Sequence, residues 1–134
     1  VFPDWRIVAV AVLYSLGAHG IMTLNDFKAV EGDRETGLAS LPVTLGVDRA
    51  VRVACVVMAV PQIVVITLLM SWGRPIFAAA VVLFLGFQMV LMVRLVDSPK
   101  ERAPWYNATG TTLYVLGMLV TAFALRPIVD MELL

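Results

Sequence analysis

Asp26 and Asp33 are the residues of this sequence best placed to do chemistry. They stand in an acidic, mixed-charge stretch, Asn25-Asp26-Phe27-Lys28-Ala29-Val30-Glu31-Gly32-Asp33-Arg34-Glu35-Thr36-Gly37. If the helix leading into this stretch continues, the seven residues between the aspartates make about two turns at ~3.6 residues per turn. Both carboxylates then lie on one face, about 10 Å apart along the axis. That is too far to chelate one Mg²⁺, whose ligands sit at about 2.0–2.1 Å. It suits two Mg²⁺ ions bridged by a diphosphate, because Mg²⁺ is usually held by one or two carboxylates plus phosphate oxygens. Lys28 and Arg34 would add positive charge for the same anion, and the side-chain carbonyl of Asn25 is a further hard oxygen ligand. His19 precedes Asp26 by seven residues. On that shared face it either contacts a substrate or orients Asp26; a histidine hydrogen-bonded within a bundle is the plainer alternative. A mixed-charge loop is also often only a solvated turn, and the spacing alone does not decide between the two.

The elements that must position these residues are membrane spans. The chain has 134 residues, 60% hydrophobic and 15% charged, with a mean hydropathy of +0.90. Soluble domains run about 45–50% apolar and about 25% charged. The excess is concentrated in four blocks, residues 7–24, 53–70, 76–93 and 109–125, each close to the ~20 residues needed to cross a bilayer. Backbone polar groups must be paired internally in lipid, so the spans are expected to be helices, with Pro61 kinking the second rather than ending it. The expected fold is all-α, a polytopic transmembrane bundle with an inner loop over residues 25–48. Gly37 is a suitable helix stop, with Pro42 shortly beyond.

Charge sets the orientation. The segments outside the four spans carry 1, 4, 1, 3 and 1 Lys or Arg residues in chain order. The two longer loops are therefore expected on the cytoplasmic side and both chain ends outside. Ser71-Trp72-Gly73-Arg74-Pro75 reads as a tight outer turn. Trp105 and Tyr106 read as an interfacial aromatic belt, Gln62 and Gln88 as partners across helices, and Tyr114 as facing either the interior or the lipid. The net charge is zero, which leaves no electrostatic case for nucleic acid. The single cysteine, Cys55, excludes an internal disulfide or a cysteine zinc site. Asn107-Ala108-Thr109 matches the glycosylation sequon but falls on the inner side.

The wording of the acidic stretch adds more. Asn25 to Arg34, followed by Thr36-Gly37-Leu38 and Ser40-Leu41-Pro42-Val43, resembles the second Asp-rich motif of UbiA-type intramembrane prenyltransferases, in their chlorophyll and bacteriochlorophyll synthase branch. Ala103-Pro104-Trp105-Tyr106-Asn107, Thr109-Gly110 and Leu113-Tyr114-Val115-Leu116-Gly117 resemble the same branch, on its bacteriochlorophyll side. The resemblance runs from about Tyr14 to Ile128. It departs from the wider family at Ala29, where many members carry an aspartate four residues before the one matched by Asp33. Asp26 or Glu31 is left to take that place.

The resemblance implies a bundle of about nine transmembrane helices, of which this chain is the carboxy-terminal part. The amino-terminal part of the same protein would supply a first Asp-rich motif and the other half of the site, so this piece alone would be inactive. It implies a Mg²⁺-dependent transfer from geranylgeranyl or phytyl diphosphate to the propionate carboxylate of a chlorophyllide or bacteriochlorophyllide. Asp26, Asp33 and Glu31 would face the metal, and Asn25, Lys28, Arg34 and His19 the diphosphate or pigment. The setting would be a bacterial inner membrane, cytoplasmic or photosynthetic. Alternatives are a relative acting on an aromatic ring or haem, or a non-enzymatic transport or assembly subunit. Intramembrane acids usually mark conduction paths. Here the spans hold none, which favours a site opening at the surface.

Overall fold

The computed structural model describes the backbone of residues 4–26, 35–37 and 41–133, with the side chains of residues 25, 41, 42, 100 and 127–133 left aside. Among these residues the structure is all-α. Helix α1 spans Trp5–Asp26, α2 Leu41–Leu45, α3 Val47–Ser71, α4 Pro75–Asp97 and α5 Pro99–Leu133. Of these, α1, α3, α4 and α5 are long and apolar enough to cross a membrane.

Each long helix overshoots its apolar run, because apolar length marks the membrane and local chemistry marks the helix end. Asp4 caps α1: its carboxylate accepts the Arg6 amide at 2.8 Å, satisfying one of the free N–H groups at a helix start. Gly46, at φ 85°, separates α2 from α3. Asp48 then sits in the first turn of α3, where the helix dipole favours a negative charge. Glu35 and Thr36 are helical and Gly37 ends that turn at φ 79°, as a left-handed C-terminal glycine does.

The outer turn after α3 is a Schellman closure. The Arg74 amide donates to the Leu69 carbonyl at 2.8 Å, and the Gly73 amide to Met70 at 3.2 Å. Gly73 takes φ 74°, a conformation that costs glycine little. Pro75 starts α4 in the first turn, where its missing N–H is not needed. Trp72 meets Trp5 edge-on, with ring centroids 5.7 Å apart. The start of α1 and the end of α3 therefore share one membrane face, as the charge pattern predicts.

The helices pack in a circuit: α1 on α3, α3 on α4, α4 on α5, and α5 back on α1, with α1 and α4 on a diagonal. One apolar cluster lies toward the inner end, around Leu24, Ala54, Met58, Leu95 and Tyr106. Another lies toward the outer end, around Val10, Tyr14, Val65, Val81 and Tyr114. The expected glutamine pairing is present in reciprocal form. Gln62 Nε2 donates to Gln88 Oε1 at 3.0 Å, and Gln88 Nε2 to Gln62 Oε1 at 2.9 Å. Gln62 Nε2 also donates to the Met58 carbonyl at 2.9 Å. Both side chains are fully buried, and α3 runs unbroken through the neighbouring Pro61.

Tyr106 corrects the aromatic-belt expectation. Trp105 is partly exposed, but Tyr106 is fully buried in the inner cluster. Adjacent helical residues differ by about 100° around the axis, so one of the pair must turn inward. Gly110, one turn on, leaves room for the ring: a Cβ there would collide with it.

Replacing Gln62 by leucine should lower stability by about 1–2 kcal/mol, because it strands the buried Gln88 amide. The Gln62→Leu/Gln88→Leu pair should recover most of that loss. Unfolding titrations in mixed micelles check both, and additive losses would show that the two amides do not act as a pair.

Candidate active site at the inner end of the first helix

α1 carries Asp26 to the membrane surface. The described helix reaches Asp26, so Asn25 and Asp26 belong to the helix rather than to the loop. The Asp26 side chain is half-buried. No cationic group among the described residues pairs with Asp26. Among the described residues no group of three or more His, Cys, Asp or Glu could hold a metal.

His19 lies two turns below Asp26 on α1. It is exposed and lines a shallow concavity of about 420 Å³ with Ser15 and Leu16 on the outward side of the helix. Its main-chain carbonyl accepts the Thr23 hydroxyl at 2.9 Å. The histidine is thus not buried in the bundle, and it does not contact Asp26. Lys28, Glu31, Asp33 and Arg34 lie outside the described residues, as does the side chain of Asn25.

Sequence reasoning missed a cavity. Between α1 and α5 the bundle opens into an apolar groove of about 900 Å³. On α1 its wall runs from Ile7 through Ala11, Tyr14 and Ala18 to Ile21, and on α5 from Tyr114 through Met118 and Ala122 to Arg126. At ~1.5 Å rise per residue, Ile7 to Ile21 is about 21 Å, and the inner end stops about 7.5 Å short of Asp26. The groove is thus an apolar channel that runs along α1 toward the end carrying Asp26, which is not among its lining residues.

Two tyrosines fix its side wall. Tyr14 and Tyr114 stack edge-to-face, with centroids 5.3 Å apart. The Tyr114 hydroxyl donates to the Tyr14 carbonyl at 2.6 Å. Thr121 spends its proton on the Gly117 carbonyl at 2.8 Å, so at 3.0 Å it accepts from the Tyr14 hydroxyl. Gly17 makes the arrangement possible, because a Cβ there would collide with the Tyr114 hydroxyl. The available signal was Gly17 three residues after Tyr14 in one span, and Tyr114 seven before Thr121 in another.

Residues 1–116 match the UbiA prenyltransferase family. The chain belongs to that family. It is 58% identical over 124 residues to the bacteriochlorophyll synthase 33 kDa chain of Cereibacter sphaeroides, covering 92% of this chain and 41% of that protein. The protein of the same description from Rhodobacter capsulatus is 50% identical over 124 residues, with the same shares covered. Chlorophyll synthase, chloroplastic, of Arabidopsis thaliana is 37% identical over 123 residues, 91% of this chain and 31% of that protein. The chain thus spans about two fifths of the length of the bacterial relatives named here. No solved structure matches it. Within this UbiA chain, the acidic stretch opens with Asn25 and Asp26, which lie in α1.

Gly17→Ala should destabilise the bundle by about 1 kcal/mol or more, because the Tyr114 ring must move. Gly86→Ala, where a Cβ meets nothing within 4 Å, should instead stabilise by up to about 1 kcal/mol through helix propensity. Comparing the two unfolding midpoints tests whether the α1–α5 wall is close-packed.

Proposed function

We propose that the complete protein transfers a prenyl group from an allylic prenyl diphosphate, geranylgeranyl or phytyl, to the propionate carboxylate of a chlorophyllide or bacteriochlorophyllide, forming the esterified pigment. The observation that carries this reading is an apolar groove of about 900 Å³ along α1, the helix that also carries the half-buried carboxylate of Asp26. A polar head and a long apolar tail need that pair of environments. The relatives' names support pigment synthesis as the setting.

In this reading Asp26 and Asp33 hold Mg²⁺, with Glu31 or Asn25 completing the ligand set from the chain. When bound, the metal offsets the diphosphate charge and makes it a better leaving group. Lys28 and Arg34 meet the remaining negative charge. The α1–α5 groove takes the isoprenoid chain and keeps water from the electron-deficient allylic carbon. The bond from that carbon to the diphosphate oxygen breaks, the electron pair leaves with diphosphate, and an oxygen of the acceptor carboxylate forms the new bond. A carboxylate is ionised near neutral pH, so no general base is required. The remaining transmembrane helices of a bundle of about nine, with the first Asp-rich motif, complete the site in the full-length protein. The setting is a bacterial photosynthetic or cytoplasmic membrane.

The test uses membranes holding the full-length protein with bacteriochlorophyllide, geranylgeranyl diphosphate and Mg²⁺. Ester formation should fall by about 10²-fold or more in Asp33→Asn at equal protein level, and chelation should abolish it until Mg²⁺ is restored. Asp26→Asn reports whether that residue stands in for the aspartate absent at Ala29. Prenylation of an aromatic acceptor instead would keep the family chemistry and remove the pigment assignment. A second outcome is expected from the groove: Ala18→Phe should slow transfer from the long donor roughly tenfold or more while sparing a five-carbon donor. Equal slowing of both would remove the groove from the donor path.

A further inference from the structure

Only Ser98 separates α4 from α5, so the last turn of α4 and the first turns of α5 are pressed together. The Ser98 amide donates to the Leu95 carbonyl at 3.2 Å, which leaves the Arg94 carbonyl without the bond that a continuing helix would supply. Arg102 fills it: Nη1 donates to the Arg94 carbonyl at 3.1 Å. That bond uses one of the five N–H donors of a guanidinium. The rest of the group faces a pocket of about 270 Å³ whose walls are Arg94, Arg102 and Trp105. No carboxylate of the described residues lies within 4 Å of either arginine, although Asp97 and Glu101 stand in the neighbouring turns. Two guanidinium groups thus share one small concavity with no acidic partner, beside a partly exposed tryptophan.

The surroundings say what kind of anion fits. Arg94 lies on the side where the charge bias places the cytoplasm, and Trp105 is a residue type that settles at headgroup level. Down α4 from Arg94, at helical spacing, Val90, Phe87 and Leu83 form an exposed apolar stripe. α4 is diagonal to α1, so this pocket sits on the α4–α5 edge, away from Asp26 and from the α1–α5 groove. We propose that Arg94, Arg102 and Trp105 bind the phosphate of an anionic membrane lipid, with an acyl chain lying along the α4 stripe. Guanidinium groups match phosphate oxygens with paired N–H donors. The lipid would supply the negative charge that the described residues do not, and would hold the α4–α5 corner at the inner surface.

The test uses full-length protein in nanodiscs of phosphatidylcholine containing a minor fraction of phosphatidylglycerol, followed by native mass spectrometry of retained lipid. The parent should retain phosphatidylglycerol at least fivefold above its share of the disc, and Arg94→Gln should abolish the enrichment. Arg94→Gln is the decisive variant, because the Arg94 side chain makes no bond among the described residues; Arg102→Gln also loses the α4 cap. Added phosphatidylglycerol should raise the melting temperature of the parent and leave that of Arg94→Gln unchanged. Equal enrichment in parent and Arg94→Gln would overturn the site. Displacement of the lipid by millimolar inorganic phosphate would overturn the lipid assignment in favour of a soluble phosphate ligand. Neither readout depends on prenyl transfer, so the result stands or falls apart from the proposed reaction.

Discussion

In hydrocarbon an apolar side chain gains little by leaving lipid for another helix, so apolarity alone cannot choose which faces of four apolar helices meet. In this bundle that choice rests on a few buried hydrogen bonds and on close packing at small residues. The reciprocal Gln62–Gln88 pair locks α3 to α4. The Tyr14–Thr121 bond and the bond from Tyr114 to the Tyr14 carbonyl lock α1 to α5. An amide or phenol left facing lipid without a partner costs more than a mispacked leucine. These bonds therefore set the rotation of each helix, and the apolar contacts follow.

The groove is a consequence of the same bonds. Tyr14 and Tyr114 reach each other because Gly17 has no side chain. On the groove side of α1, the small Ala11, Ser15 and Ala18 leave open the space that larger residues would close. The α1–α5 seam is thus tied along one side and open along the other. Its polar atoms are spent within the wall, so the open side presents almost only carbon, as a channel for an isoprenoid chain requires.

Charge is arranged with equal economy. The candidate spans hold few charges of either sign, and the carboxylate proposed for metal binding stands at the inner end of α1 with no described cation beside it. The arginines at the α4–α5 corner likewise have no acidic partner among the described residues. Both ends of this imbalance face the same membrane surface, where ions and lipid headgroups can supply what the chain withholds.

Much of this was legible in the sequence. Run length gave four membrane helices, because the bilayer sets a minimum apolar length, and charge bias matched the shared face of Trp5 and Trp72. The glutamine pair was readable because a strongly polar side chain within a span has few partners to choose from. Helix ends were not, since α3 and α5 begin several residues before their apolar runs. Nor was the inward turn of Tyr106, which depends on the space at Gly110. The sequence by itself determined element type, membrane placement and the acidic motif, because each follows from local composition and spacing. Only the tertiary structure decided that α1 and α5 enclose a groove below Asp26, and that Arg94 and Arg102 share a pocket. Those facts depend on helix rotation, which a few hydrogen bonds between residues far apart in the chain determine.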